Sequence, residues 1–182
     1  MTDQVNESLG RVVFSEEQIR QRVGEIAEDI NILYAGKPLV VVCVLKGAVV
    51  FFADLVRHLN MRPELDFVRV ASYGDDTSSA SKAISFTKDI ELSLHGKHVL
   101  IVEDIVDTGR SMEFLLRQLE ARRAKSVRLC ALVDNYERRE VEVNVDFAGF
   151  RISDGFVVGY GLDYAERYRE LPEIRLLELY SE

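Results

Sequence analysis

Two apolar runs without any alternation most constrain what this chain can fold into. Residues 39–45 read Leu-Val-Val-Val-Cys-Val-Leu, and residues 99–102 read Val-Leu-Ile-Val. A strand with one wet face alternates apolar and polar side chains, so continuous runs mark strands covered on both faces, as in a parallel sheet. Residues 65–72, with Phe67, Val68 and Val70, and residues 126–133 supply two further strands. Helical spacing lies between them. Ile19, Val23, Ile26, Ile30 and Leu33 recur at helical intervals, which predicts an amphipathic helix over 15–34. Ser15 and Gln18 form a capping box at its start, and Gly36 and Pro38 end it. A mostly apolar helix is expected from Ala48 to about Asn60, and Met112, Leu115, Leu116 and Leu119 mark a third. Strand alternating with helix argues for an α/β fold around a twisted, mainly parallel sheet flanked by helices. Shorter strands are expected at 12–14, 84–91, 156–159 and 175–180, with a half-exposed edge strand over 141–150. Residues 1–10 are polar and expected to be disordered. No repeat or linker interrupts the chain, so 1–182 is expected to be one domain, long enough to bury a sizeable core.

The net charge of −8 argues against general binding of nucleic acid or anionic membrane, which requires a basic face. No apolar run reaches membrane-spanning length, and the acidic start lacks a signal-peptide pattern, so a cytoplasmic location is expected. Cys43 and Cys130 lie in strand-like runs and read as buried free thiols. No Cys/His cluster has zinc spacing, and His58, His95 and His98 carry no assigned chemistry.

Chemistry concentrates in residues 99–111. The apolar run meets Glu103 and Asp104, then Ile105 and Val106, then Asp107-Thr108-Gly109-Arg110-Ser111, and a helical pattern follows. Acids at the carboxyl end of a buried strand lie where open α/β sheets bind ligands. A small-residue loop opening a helix offers backbone N–H groups, hydroxyls and a favourable dipole to a phosphate. Carboxylates repel phosphate, so Glu103 and Asp104 suit hydroxyls or a metal ion. An ordinary capped turn, with Asp107 or Ser111 as the cap, would explain Asp-Thr-Gly alone. It would not explain two acids at the end of a buried strand, where charges need partners. A second run, 39–45, ends in Lys46-Gly47-Ala48, which reads either as a snorkelling lysine or as a loop whose N–H groups hold a pyrophosphate. From 73 to about 87 the chain is rich in Gly, Asp, Thr and Ser without periodicity, the pattern of a long lid or surface loop. Neither a Walker loop nor a dinucleotide fingerprint is present.

The 99–111 stretch closely resembles the signature of the phosphoribosyltransferases. Leu45-Lys46-Gly47, Ser72-Tyr73 and the run from Phe156 to Tyr164, Phe-Val-Val-Gly-Tyr-Gly-Leu-Asp-Tyr, follow the order of their hypoxanthine–guanine branch. The resemblance covers about 12–180 and implies the type I phosphoribosyltransferase fold, with a small hood formed by the chain ends. It implies phosphoribosyl pyrophosphate and a purine base as substrates, Mg²⁺ as cofactor, a homodimer or homotetramer, and no nucleic-acid or membrane partner. Glu103 and Asp104 would face the ribose hydroxyls and Mg²⁺. Asp107 would be the catalytic residue beside the purine N7, as the proton acceptor or its partner, and Thr108, Gly109, Arg110 and Ser111 would hold the 5′-phosphate. Lys46 and Gly47 would form the pyrophosphate loop, with a cis Leu45–Lys46 peptide. Ser72 and Tyr73 would open a closing loop. Phe156 would stack on the base, Val157 would meet its edge, Asp163 would bind Mg²⁺, and Arg169 would reach the pyrophosphate.

Four positions depart from the family pattern. Ala48 replaces the second glycine of the pyrophosphate loop, Ser153 stands for a proline, and Gly155 for a charged residue. Asn135 stands for the lysine that contacts the purine 6-oxo group. A neutral amide can donate or accept, so weaker discrimination against adenine is expected. The implied activity is purine salvage to IMP or GMP. A same-fold enzyme for xanthine or adenine, and a non-catalytic regulator binding nucleotide or RNA, are the alternatives. The acidic balance and the presence of Asp107 count against the regulator.

Overall fold

The computed structural model describes residues 6–73, 83–153 and 155–180. Six strands form the main sheet in the order β4-β3-β2-β5-β6-β7. They are β2 (Leu39–Val44), β3 (Glu64–Tyr73), β4 (Ala83–Lys88), β5 (His98–Val106), β6 (Ser126–Asn135) and β7 (Phe147–Ile152). All neighbours run parallel except β3 and β4. The continuous runs are buried on both faces, as their composition requires. Val41 and Cys43 of β2 face a cluster with α1 (Glu16–Leu33) and α2 (Val49–Arg57). Val40, Val42 and Val44 face the opposite cluster with α3 (Arg110–Glu120). Both cysteines are buried free thiols.

Local signals set the helix ends. The Ser15–Gln18 capping box closes in both directions. α2 stops at Arg57, short of the expected Asn60. The Asn31 side chain of α1 takes the His58 carbonyl at 3.0 Å and the Asn60 N–H at 2.8 Å, groups that further helix would have used.

Three differences from expectation have physical causes. The edge strand begins at Phe147, well after residue 141. The Asp146 carboxylate accepts the Leu129 N–H at 2.9 Å, taking a place on the β6 ladder that a strand backbone would occupy. Val143 and Val145 pack instead on the α3-side core. The strand expected at 84–91, overlapping the end of the loop expected from 73 to about 87, forms as β4 beside β3 but stops at Lys88, where the following Glu91 and Leu92 N–H groups go to the Asp66 carboxylate. The rest of that expected closing loop, 74–82, lies outside the described residues.

The third difference concerns the start of the chain. Residues 6–10, expected to be disordered, belong to β1 (Asn6–Phe14). β1 pairs antiparallel with β9 (Ile174–Tyr180), from Asn6 opposite Tyr180 to Phe14 opposite Ile174. With β8 (Val157–Val158) these strands make a three-stranded hood, so both chain ends build one small sheet. A partner some 170 residues away stabilises a segment whose own composition is polar. Residues 1–5 lie outside the described residues. Among the described residues, no helix is long and apolar enough to cross a membrane.

Candidate active site

The carboxyl ends of β2, β3, β5 and β6 point to one side of the sheet, under the hood, and the predicted site residues gather there. β5 extends further than its apolar run suggests, carrying Glu103 and Asp104 inside the strand. The Ile105 N–H donates to Asp104 Oδ1 at 2.9 Å. Burial first, and the adjacent Asp104 charge second, push Glu103 well above the usual carboxylate range. Burial also raises Asp104, against the lowering effect of its hydrogen bonds. Glu103 Oε2 is buried and has no partner, an arrangement disfavoured unless a ligand completes it. The absence of a side chain at Gly47 makes the Asp104 position possible: a Cβ there would lie 1.6 Å from Asp104 Oδ2.

The loop expected to hold phosphate follows directly. α3 has Gly109 as its N-cap, at φ 86°, and no side chain caps the helix. Neither Asp107 nor Ser111 takes that role, so the first N–H groups of α3 stay available to an external acceptor. A Cβ on Gly109 would also lie 2.6 Å from the Val141 carbonyl oxygen, and Thr108 O accepts from Glu140 N–H and Val141 N–H. Glu103, Asp107, Thr108, Gly109 and Ser111 line one small hollow. The Arg110 side chain is engaged elsewhere, pairing with Glu140 at 2.6 Å, so only its backbone belongs to the expected phosphate loop.

A charged cluster closes the other flank. The Leu45–Lys46 peptide is cis, as the resemblance implies. Lys46 Nζ lies 2.9 Å from Glu166 Oε2, and Arg169 reaches the same oxygen at 3.4 Å. Arg169 also pairs with Asp163 at 2.9 Å and donates to Gly161 O at 2.8 Å. Asp163 Oδ2 accepts the Glu166 N–H at 2.9 Å. Its pairing with Lys46 and then Arg169 holds Glu166 below the usual carboxylate range. Gly161 presses on the pyrophosphate-loop candidate, since a Cβ there would lie 2.1 Å from Gly47 O.

The end expected to take the base combines strand ends with connecting segments. Phe156 is 42% exposed and meets Tyr164 edge-on, with centroids 5.6 Å apart. Val157 is buried in β8. Both line a hollow that also holds Asp104, Asp107, Asn135 and Asp163. Asn135 donates its Nδ2 to Asp107 Oδ1 at 3.3 Å, while its buried Oδ1 has no partner. The amide N–H expected to serve the base is therefore engaged by a protein carboxylate, an orientation that the acceptor-only carboxylate dictates. Ser72 and Tyr73 lie at the end of β3, their backbones paired with Ile84 and Ala83.

Sequence reading missed four participants. Arg138 lines the base-end hollow and approaches Asp107 Oδ2 at 3.4 Å. Arg139 ties the 134–140 turn down, donating to Asp107 O at 3.1 Å and Val143 O at 3.0 Å and pairing with Asp134. Glu166 occupies the flank just described. The fourth is Asp134, the anchor of Arg139. Each stands in a charge-rich stretch whose composition resembles any solvated turn.

The Mg²⁺ expectation can be tested on these residues. Among the described residues, no group of three or more His, Cys, Asp or Glu side chains could hold a metal by itself. Mg²⁺ is usually held by one or two carboxylates, with water and substrate oxygens completing its shell. The Glu103–Asp104 pair, with its orphaned oxygen, fits that mode.

Comparison with known proteins agrees with the geometry. The family model described as the phosphoribosyl transferase domain matches residues 13–165. The hypoxanthine-guanine phosphoribosyltransferase of Bacillus subtilis is 41% identical over 170 residues, covering 93% of this chain and 94% of that protein. A crystal structure of a hypoxanthine phosphoribosyltransferase from Staphylococcus aureus superposes with a TM-score of 0.89 at 38% identity, covering 93% of this chain and 92% of that one. The bifunctional protein TilS/HprT of Listeria monocytogenes is 41% identical over 182 residues, and the chain spans 28% of its length. With its paired acids, uncapped α3 and hood, this chain belongs to the phosphoribosyl transferase family, on its hypoxanthine–guanine branch.

Proposed function

We propose that the protein transfers the 5-phosphoribosyl group from phosphoribosyl pyrophosphate to hypoxanthine or guanine, giving IMP or GMP and pyrophosphate in purine salvage. One observation carries the reading: the half-buried Glu103–Asp104 pair, with its orphaned Glu103 Oε2, stands beside an uncapped helix start, with Asp107 and Phe156 sharing the hollow next to it. The α3 N–H groups and the Thr108 and Ser111 hydroxyls hold the 5′-phosphate. Glu103 and Asp104 face the ribose, where they stabilise positive charge that develops at the anomeric carbon. A purine ring nitrogen bonds to that carbon as its bond to the pyrophosphate oxygen breaks. Asp107 holds the proton that the purine loses. Lys46 and Arg169 receive the pyrophosphate once Glu166 moves aside. Glu103 and Asp104 would hold one Mg²⁺, and Asp163 a second. When bound, Mg²⁺ supplies charge neutralisation and orientation of the leaving pyrophosphate.

A specific feature favours weak use of adenine as well. With one N–H on Asp107, Asn135 keeps an unpaired acceptor, Oδ1, that suits an amino group on the base. The experiment is product formation from phosphoribosyl pyrophosphate and Mg²⁺ with each base in turn. Nucleotide should form with hypoxanthine and guanine, and slowly with adenine. Turnover confined to adenine or xanthine would overturn the base assignment, and none with any base would overturn the reaction.

A further inference from the structure

Next to Asp107 the base-end hollow, of about 150 Å³, has one cationic side chain among its described lining residues, Arg138. Asp107 meets two nitrogen donors, one at each oxygen. Asn135 Nδ2 is 3.3 Å from Oδ1, and Arg138 is 3.4 Å from Oδ2. The two donors differ in freedom. Asn135 is 2% exposed, at the end of β6. The Arg138 side chain is 59% exposed. Its neighbour Arg139 is committed to the carbonyls of Asp107, Val106 and Val143 and to Asp134, with 16% exposure. Consecutive arginines thus divide the work: Arg139 fixes the turn, and Arg138 projects from it over the hollow.

We propose that Arg138 is the residue that selects 6-oxopurines in this protein, donating to the 6-oxo oxygen of the base. The inference rests on the proposed reaction, in which Asp107 faces the purine N7. N7 and the 6-substituent are adjacent on one edge of the ring. A donor to the 6-oxo oxygen must therefore stand beside the group that serves N7, and Arg138 stands there. A guanidinium is a planar fork with five N–H groups. One nitrogen stays on the Asp107 carboxylate while another reaches the oxygen, so binding the base does not require the ion pair to break. Asn135 gives one N–H to Asp107 and is a neutral donor at most, whereas Arg138 brings a charged one. Its part is to orient that carboxylate. A 6-amino group would face Arg138 as donor against donor, which opposes the tolerance offered by Asn135 Oδ1.

The test compares hypoxanthine with unsubstituted purine, which lacks the 6-oxo oxygen and the N1–H that accompanies it. Taking the ratio of their kcat/KM values cancels any effect of Arg138 on Asp107 or on the donor. Arg138→Met should lower the hypoxanthine-to-purine ratio about tenfold, as expected for loss of a charge-assisted bond. Arg138→Lys should retain most of the ratio, because it keeps a cationic donor. An unchanged ratio in Arg138→Met, with wild-type protein active on hypoxanthine, would overturn this inference alone. Wild-type protein inactive on every purine would overturn the phosphoribosyl transfer reading and this inference with it.

Discussion

The two ends of the site are built in different ways. The donor end uses what the sheet enforces: acids within β5, an uncapped α3, and glycines whose missing side chains admit the neighbouring loops. The base end uses side chains at a strand end and on the connections beyond, namely Asn135, Arg138 and Phe156, of which the last two are substantially exposed. Changing the donor end would disturb strand and helix geometry. Changing the base end needs one exposed side chain. The comparison teaches that chemistry is fixed by backbone topology here, while choice of base rests on replaceable groups.

Asp107 stands where the two ends meet, and its replacement should have the largest effect. Asp107→Asn keeps the shape and the contact to Asn135 but removes the proton acceptor. Turnover should fall roughly 10²- to 10⁴-fold, as for a positioned acid–base group, with the donor KM little changed. Steady-state kinetics showing only a raised donor KM would move Asp107 into the phosphate cradle and blur the division between the ends.

The donor end should also show a conflict between function and stability. In the empty protein, Glu103 and Asp104 take up protons more readily than in the unfolded chain, because burial raises both. Stability from these groups is therefore present at low pH. It is lost as pH rises from the ordinary carboxylate range through their raised values. Each unit of raised pKa corresponds to about 1.4 kcal/mol, or roughly 3–6 °C in Tm for a chain of this size. The double variant Glu103→Gln, Asp104→Asn should melt higher than wild type at neutral pH, and the gap should close on acidification. Thermal melts from pH 4 to 8 without Mg²⁺ would show this. A variant that melts lower at neutral pH would mean the pair stabilises the fold.

Much of this was legible in the sequence, and the remainder has a common cause. Residues 39–45 and 99–102 could be read as doubly covered strands because continuous apolar runs have few other uses. Ser15 and Gln18 stated their capping box locally. The donor end could be found because acids interrupting a buried strand are physically anomalous. What escaped depends on distant partners. β1 is a strand because β9 pairs with it. The expected strand 141–150 starts late because the Asp146 side chain occupies the β6 ladder. Arg138, Arg139 and Glu166 look like any charged turn residues until the fold places them beside Asp107, Asp134 and Lys46.

Glu166 should give the smallest effect. Its exposed carboxylate sits between Lys46 and Arg169, where an incoming pyrophosphate group would bind. Exposed ion pairs contribute little, so Glu166→Gln should tighten donor binding by no more than about fivefold. Weaker donor binding in this variant would show that Glu166 orients the two cations.

The most direct measurement of the donor end is calorimetric titration of phosphoribosyl pyrophosphate, with Mg²⁺ and without base, into wild-type protein and the Glu103→Gln, Asp104→Asn variant. Wild type should bind one donor per chain, and the folded variant should bind it at least tenfold more weakly. Equal binding by both proteins would contradict the account, because the paired acids of β5 would then have no part in holding the donor.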